Sequence, residues 1–164
     1  MPAALKMNPL SAVPASRPQL ELSGPVLRRA FETLVEGAES QGGVESWIDA
    51  LKLKSRLFRQ TLIEKEHGPV EELPTEVFKS LCTFMASVRR RIAPYLEKPY
   101  YSELTVHVAD LIQATADSRS TDAAMADFCS HFPNDRSHRW VRDLAAECLH
   151  NSDPERFPMM CRWI

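Results

Sequence analysis

The chain has 164 residues, 44% of them apolar and 26% charged, the composition of an ordinary folded domain with a single core. Its formal charge of −2 argues against a strongly basic nucleic-acid binder in bulk, although local clustering decides that question. No apolar run reaches the ~20 residues that span a bilayer and no secretory h-region is visible, so the expectation is a cytoplasmic protein with no membrane partner.

Pro2, Pro9, Pro14, Pro18 and Pro25 fall in the first 25 residues, where no apolar residue repeats at helical or strand spacing. Such a segment cannot offset its ordering entropy by burial, so residues 1–22 read as a disordered tail and 23–164 as one helical domain. The first helix opens at Ser23 with Pro25 in its first turn. Val26, Leu27, Ala30, Phe31, Leu34 and Val35 mark its inward face. After Gly42 and Gly43 a second helix runs from Val44 to about Lys65, presenting Trp47, Ile48 and Leu51, then Leu57, Phe58 and Leu62. The stripe slips between Leu53 and Leu57, which predicts a bend.

The third helix is expected from Thr75 to Ala93, stopped by Pro94. Val77, Phe78, Leu81, Met85, Val88 and Ile92 form the cleanest stripe in the chain. Tyr95 to Tyr101, with Pro99, reads as a connector. A fourth helix begins at Ser102 with Leu104, Val108, Leu111, Ile112 and Thr115 on one side. A fifth covers Thr121 to Phe132 and buries Met125, Phe128, Cys129 and Phe132. Pro133 and Asn134 turn the chain into a sixth, Asp135 to His150, with Val141, Leu144, Ala145, Cys148 and Leu149 inward. Ser152, Asp153, Pro154 and Glu155 form a capping-box pattern that starts a further helix. The apolar run from Met159 to Ile164 either docks on the core or belongs to a longer chain. No segment alternates with period two and no hairpin dipeptide occurs. The fold class is all-α, an irregular bundle of six to seven helices.

Cys82, Cys129, Cys148 and Cys161 occupy apolar positions, which suits buried free thiols rather than disulfides. Cys129 with His131, and Cys148 with His150, supply the donor types of a zinc site, but residues two apart on a helix point about 200° away from each other and do not share a metal. No metal is expected. None of the four cysteines lies in a glycine-rich turn or at a helix N-terminus, where a thiolate is stabilised. Walker, dinucleotide, EF-hand, zinc-protease and hydrolase-elbow motifs are all absent, so no cofactor is expected. His107 reads as a partly buried histidine with one hydrogen bond.

Charge and aromatic placement carry the remaining signals. Residues 73–101 hold five basic and two acidic groups, and residues 102–128 one and five. Arg89, Arg90 and Arg91 end the third helix, where the helix dipole favours cations. Arg136, His138, Arg139 and Arg142 instead crowd the start of the sixth helix, against the dipole, unless an anion compensates or Asp135 caps and Arg139 pairs with Asp143. Tyr95, Tyr100 and Tyr101 present large contact area with polar tips, suited either to recognition or to fixing the loop on the core. The first functional reading is a non-catalytic interaction or regulatory module, with an unidentified protein partner meeting the tyrosines and Arg89–Arg91. The second is a nucleic-acid or phosphate-binding domain using Arg136, His138, Arg139 and Arg142 at the basic start of the sixth helix, joined by Arg89 to Arg91, and the third is an enzyme whose site is not visible in sequence.

Overall fold

The structure is a computed structural model that describes residues 24–117 and 120–158. These residues form six α-helices, joined by turns and three short 3-10 segments, with no strand among them. The fold is all-α. The chain divides between Val44 and Glu45 into two compact units.

The first unit holds α1 (Gly24–Glu39). Its apolar face has the expected membership, yet Val26, Leu27, Phe31 and Leu34 are all exposed and only Ala38 is buried. Periodicity identifies an apolar face without saying what lies over it. The turn that follows sets Gly42 at φ 98° and Gly43 at φ 84°, the left-handed region in which a side chain is strained.

The second unit contains most of α2 (Gly43–Leu62), then α3 (Thr75–Thr83), α4 (Tyr100–Ala116), α5 (Thr121–Ser130) and α6 (Trp140–Ser152). Only the last turns of α2 enter its core, through Phe58 and Leu62, while Trp47, Ile48 and Leu51 are exposed. Phe78 and Leu81 of α3, Leu104, Val108 and Leu111 of α4, Phe128 of α5, and Val141, Leu144 and Leu149 of α6 complete the cluster. Burying each such side chain is worth about 1.5–3 kcal/mol, so this cluster rather than helix propensity holds the unit together.

The cleanest stripe in the sequence is buried from Phe78 through Ile92, with Val77 half-buried, but the α-helix carrying it ends at Thr83 instead of Ala93. The Ser80 hydroxyl donates to the Glu76 carbonyl at 2.8 Å and the Thr83 hydroxyl to the Ser80 carbonyl at 2.6 Å. Side chains that take ladder acceptors weaken the helix there. Successive turns then carry the chain on, with the Arg89 amide donating to the Met85 carbonyl and the Ile92 amide to that of Val88. Met85, Val88 and Ile92 therefore stay on the buried side.

One polar network crosses this core. Lys54 of α2 donates to Glu147 Oε2 of α6 at 2.6 Å, with both side chains about one-eighth exposed. The Asn151 amide donates to the same oxygen at 2.9 Å, and Ser55 donates to Asn151 Oδ1 at 3.3 Å. Lys54 falls where the apolar stripe of α2 slips, so the slip accommodates an ion pair within the continuous helix.

At the other end of α6, Ser152 closes the helix by donating to the Cys148 carbonyl at 2.6 Å. Asp153, not Ser152, caps the following turn by accepting the Arg156 amide at 3.2 Å. The expected tail over 1–22, Cys161 and the run from Met159 to Ile164 lie outside the described residues. No helix among the described residues is long and apolar enough to cross a membrane.

Candidate functional site

Two stretches far apart in sequence, 90–100 and 136–140, meet around an open groove of about 860 Å³. The first contributes Arg90, Arg91, Pro94, Tyr95 and Tyr100, and the second Arg136, Ser137, His138 and Trp140. The first stretch reaches this position because Val88 and Ile92 are buried while the arginines between them face outward. The second is fixed by Trp140, which is 3% exposed.

Arg91 ties the stretches together. Its guanidinium donates to the carbonyls of Arg136 at 3.3 Å and Ser137 at 3.4 Å. Arg90 and Arg136 enter none of the ion pairs among the described residues, and no carboxylate lines the groove. Their charge is therefore open to a ligand.

Tyr95 is the aromatic hub. Its ring lies 5.2 Å from Trp140, 5.8 Å from Phe132, 6.0 Å from His138 and 6.1 Å from Tyr100 by centroid. Edge and tilted contacts of this kind add about 0.5–1.5 kcal/mol beyond area burial. Burial, and after it the charge of Asp135, pushes the Tyr95 hydroxyl above its usual pKa. Tyr100 is 56% exposed and offers a broad ring surface to solvent at the groove.

Asp135 governs the entry to the 3-10 turn Arg136–His138. Its Oδ1 accepts the amides of Ser137 at 2.7 Å and His138 at 3.1 Å, and the Ser137 hydroxyl at 2.6 Å. His138 Nδ1 lies 2.9 Å from the same oxygen. The Ser137 hydroxyl and then His138 hold the Asp135 carboxyl down at about 2. Ser137, His138 and Asp135 have the composition of a hydrolytic triad without its connectivity. A relay needs the serine on one ring nitrogen and the acid on the other, whereas both meet Nδ1. The cluster is a cap that leaves Nε2 uncommitted to it.

The remaining sequence candidates lie elsewhere. Tyr101 is 5% exposed and its hydroxyl donates to the Leu73 carbonyl at 2.8 Å, so it anchors α4 and is no part of a recognition surface. Burial pushes that hydroxyl up to about 12. Arg89 reaches the Thr83 carbonyl at 3.5 Å. Arg139 and Arg142 do not line the groove, the Arg139–Asp143 pair is absent from the ion pairs of the described residues, and Arg142 acts on Cys129, opposing the upward push of burial on that thiol.

The Cys and His pairs do not converge. Cys148 is fully buried, while His150 Nδ1 donates to the Phe157 carbonyl at 2.8 Å. His131 stacks on His107 with centroids 4.0 Å apart and planes within 10°. Stacked rings direct their lone pairs into parallel planes, so they cannot meet on one ion. No group of three metal-donor side chains exists among the described residues. His107 has no partner for its buried Nδ1, in place of the one hydrogen bond expected.

The sequence reading names most of the groove, placing Tyr95 and Tyr100 with a protein partner, Arg136 and His138 with nucleic acid, and Arg89–Arg91 with either. Ser137 and Trp140 were signalled only by the turn after Asn134 and by the flank of a stripe. Compared with known proteins, the chain matches no family model, no curated protein and no solved structure.

Proposed function

We propose that the chain is a non-catalytic binding module whose groove takes an acidic segment of a protein partner, in the cytoplasm. The observation that carries this reading is the convergence of unpaired Arg90 and Arg136 with Tyr95, Tyr100 and Pro94 around one open groove free of carboxylates. Guanidinium groups recognise carboxylates through paired N–H donors. Tyrosines and proline supply rigid contact area at low entropic cost. The hydrogen bonds from Arg91 hold the two sides in register before a ligand arrives, which lowers the ordering cost of binding.

A second reading, single-stranded nucleic acid, draws support from the exposed ring of Tyr100 beside arginines, since bases stack on aromatic faces while phosphates meet cations. Two or three arginines neutralise few phosphates, so such binding would be weak at physiological salt.

The test is a fluorescence anisotropy panel: acidic peptides containing Tyr and Pro, the same peptides with Glu replaced by Gln, and oligo-dT of about twelve nucleotides. The reading expects saturable binding to acidic peptides, at least tenfold weaker for Arg90→Glu/Arg136→Glu and unchanged for Arg89→Glu/Arg139→Glu. Preference for oligo-dT, with a steep fall in salt, would transfer the groove to nucleic acid. Equal losses in both double variants would remove the groove from the account.

A further inference from the structure

Granted the groove as the docking site for a protein segment, we infer that the side chain it selects is a phosphorylated tyrosine. Two kinds of group line the groove, and that side chain uses both. Arg90, Arg91 and Arg136 bring their guanidinium groups to walls that hold no carboxylate. Arg91 is already spent on two carbonyls, whereas Arg90 and Arg136 are exposed and enter no ion pair among the described residues. Guanidinium groups meet phosphate oxygens through paired N–H donors, and a phosphate monoester carries about −1.5 to −2 charge at neutral pH where a carboxylate carries a single one.

Pro94, Tyr95 and Tyr100 line the same groove, with the two tyrosine rings 6.1 Å apart by centroid. Tyr100 is 56% exposed, so a ring on the ligand has an aromatic surface to pack against. Aspartate and glutamate have no ring for that surface, and phosphoserine has none either. Phosphotyrosine joins a ring to a phosphate, as the groove joins tyrosines to arginines.

His138, also at the groove, separates phosphate from carboxylate. The ionised Asp135 carboxylate only accepts, so the 2.9 Å contact of its Oδ1 with His138 Nδ1 assigns a proton to Nδ1. Nε2 is then a bare lone pair on the neutral ring and an N–H on the charged one. A carboxylate presents only lone pairs and is repelled by the neutral ring. A phosphate monoester, whose second ionisation falls at about pH 6, donates to the neutral ring as the monoanion and accepts from the charged ring as the dianion. Sulfate esters and the phosphodiesters of nucleic acid lack that second ionisation.

Fluorescence anisotropy of the full chain tests this with one acidic, proline-containing peptide whose central residue is phosphotyrosine, tyrosine, glutamate, phosphoserine or sulfotyrosine. The phosphotyrosine form should bind about tenfold or more tighter than the tyrosine and glutamate forms, the gain of one added charge-assisted hydrogen bond. It should bind roughly two- to tenfold tighter than the phosphoserine form, which lacks the ring, and tighter than the sulfotyrosine form. Arg90→Gln/Arg136→Gln should abolish the preference with circular dichroism unchanged, since both side chains are exposed. His138→Phe, which keeps a ring among the aromatics, should bring phosphotyrosine and sulfotyrosine closer together. Tyrosine and glutamate forms that bind through Arg90 and Arg136 as tightly as phosphotyrosine would overturn the inference and leave the acidic-segment reading standing. Phosphoserine equal to phosphotyrosine would overturn it as well, by removing the ring from recognition. Binding of no form, binding untouched by Arg90→Gln/Arg136→Gln, or displacement of every form by oligo-dT would end both.

Discussion

Breaking the Lys54–Glu147 pair should be among the most destabilising single changes in the second unit. The contact is 2.6 Å long between side chains about one-eighth exposed, so either charge left alone is poorly solvated. Removing one partner of a fully buried pair costs about 3–5 kcal/mol. The residual exposure lowers this to about 2–4 kcal/mol for Lys54→Met or Glu147→Leu. Replacing both removes the stranded charge along with the attraction, and such apolar replacements are close to neutral. Asn151 keeps one N–H on the Glu147 carbonyl at 2.9 Å in every variant, while Glu147→Leu and the double variant leave its other N–H without the Oε2 acceptor, a cost of about 1 kcal/mol that those two share. In urea, with a slope of about 1.5–2 kcal/mol per molar, each single variant should lower the unfolding midpoint by roughly 1–2.7 M, and the double variant should recover most of the loss. Single variants within about 0.5 kcal/mol of wild type, or a double variant equal to the sum of the singles, would refute the buried-charge argument.

Tyr101→Phe removes the hydroxyl bond to the Leu73 carbonyl and leaves that carbonyl unpaired by the side chain, so thermal unfolding should report a loss of about 1–2 kcal/mol with acidic-peptide binding unchanged. The His107 imidazole is held below its usual pKa of 6.5, first by burial and then by His131, against the opposing pull of Asp110, Glu103 and Asp127. The unfolded chain thus binds the proton more readily, so stability should fall as pH drops below about 6.5. His107→Phe should flatten that part of the pH profile, and an unaltered slope would contradict the assignment. Cys82 is raised by burial to about 12, and Cys148 is raised by burial as well. Mapping of iodoacetamide adducts at pH 8 should find both unmodified in folded protein and Cys129 modified ahead of them.

Legibility from sequence followed the reach of each physical signal. The stripes of α4 and α6 and the turn at Pro133 were readable because local periodicity and capping residues determine them. The third helix was overextended because Ser80 and Thr83, neutral in a periodicity count, turn their hydroxyls onto ladder carbonyls. The faces of α1 and of the first half of α2 were readable as apolar but not as exposed, since covering is a tertiary property. Lys54 disguised itself as a break in a stripe, because its partner lies 93 residues away. The groove was legible in pieces. Arg90, Tyr95, Tyr100, Arg136 and His138 each drew notice for residue type, and only the fold joins them, through Arg91 and the two carbonyls it meets.

The central claim is that this groove is where a ligand binds. Its most direct test is a ¹H–¹⁵N shift titration of the full chain with the tightest acidic peptide from the anisotropy panel. The account predicts saturating shifts concentrated in residues 90–100 and 136–140, and their loss in Arg90→Glu/Arg136→Glu. Shifts centred on α1, or spread over the surface without saturation, would contradict it.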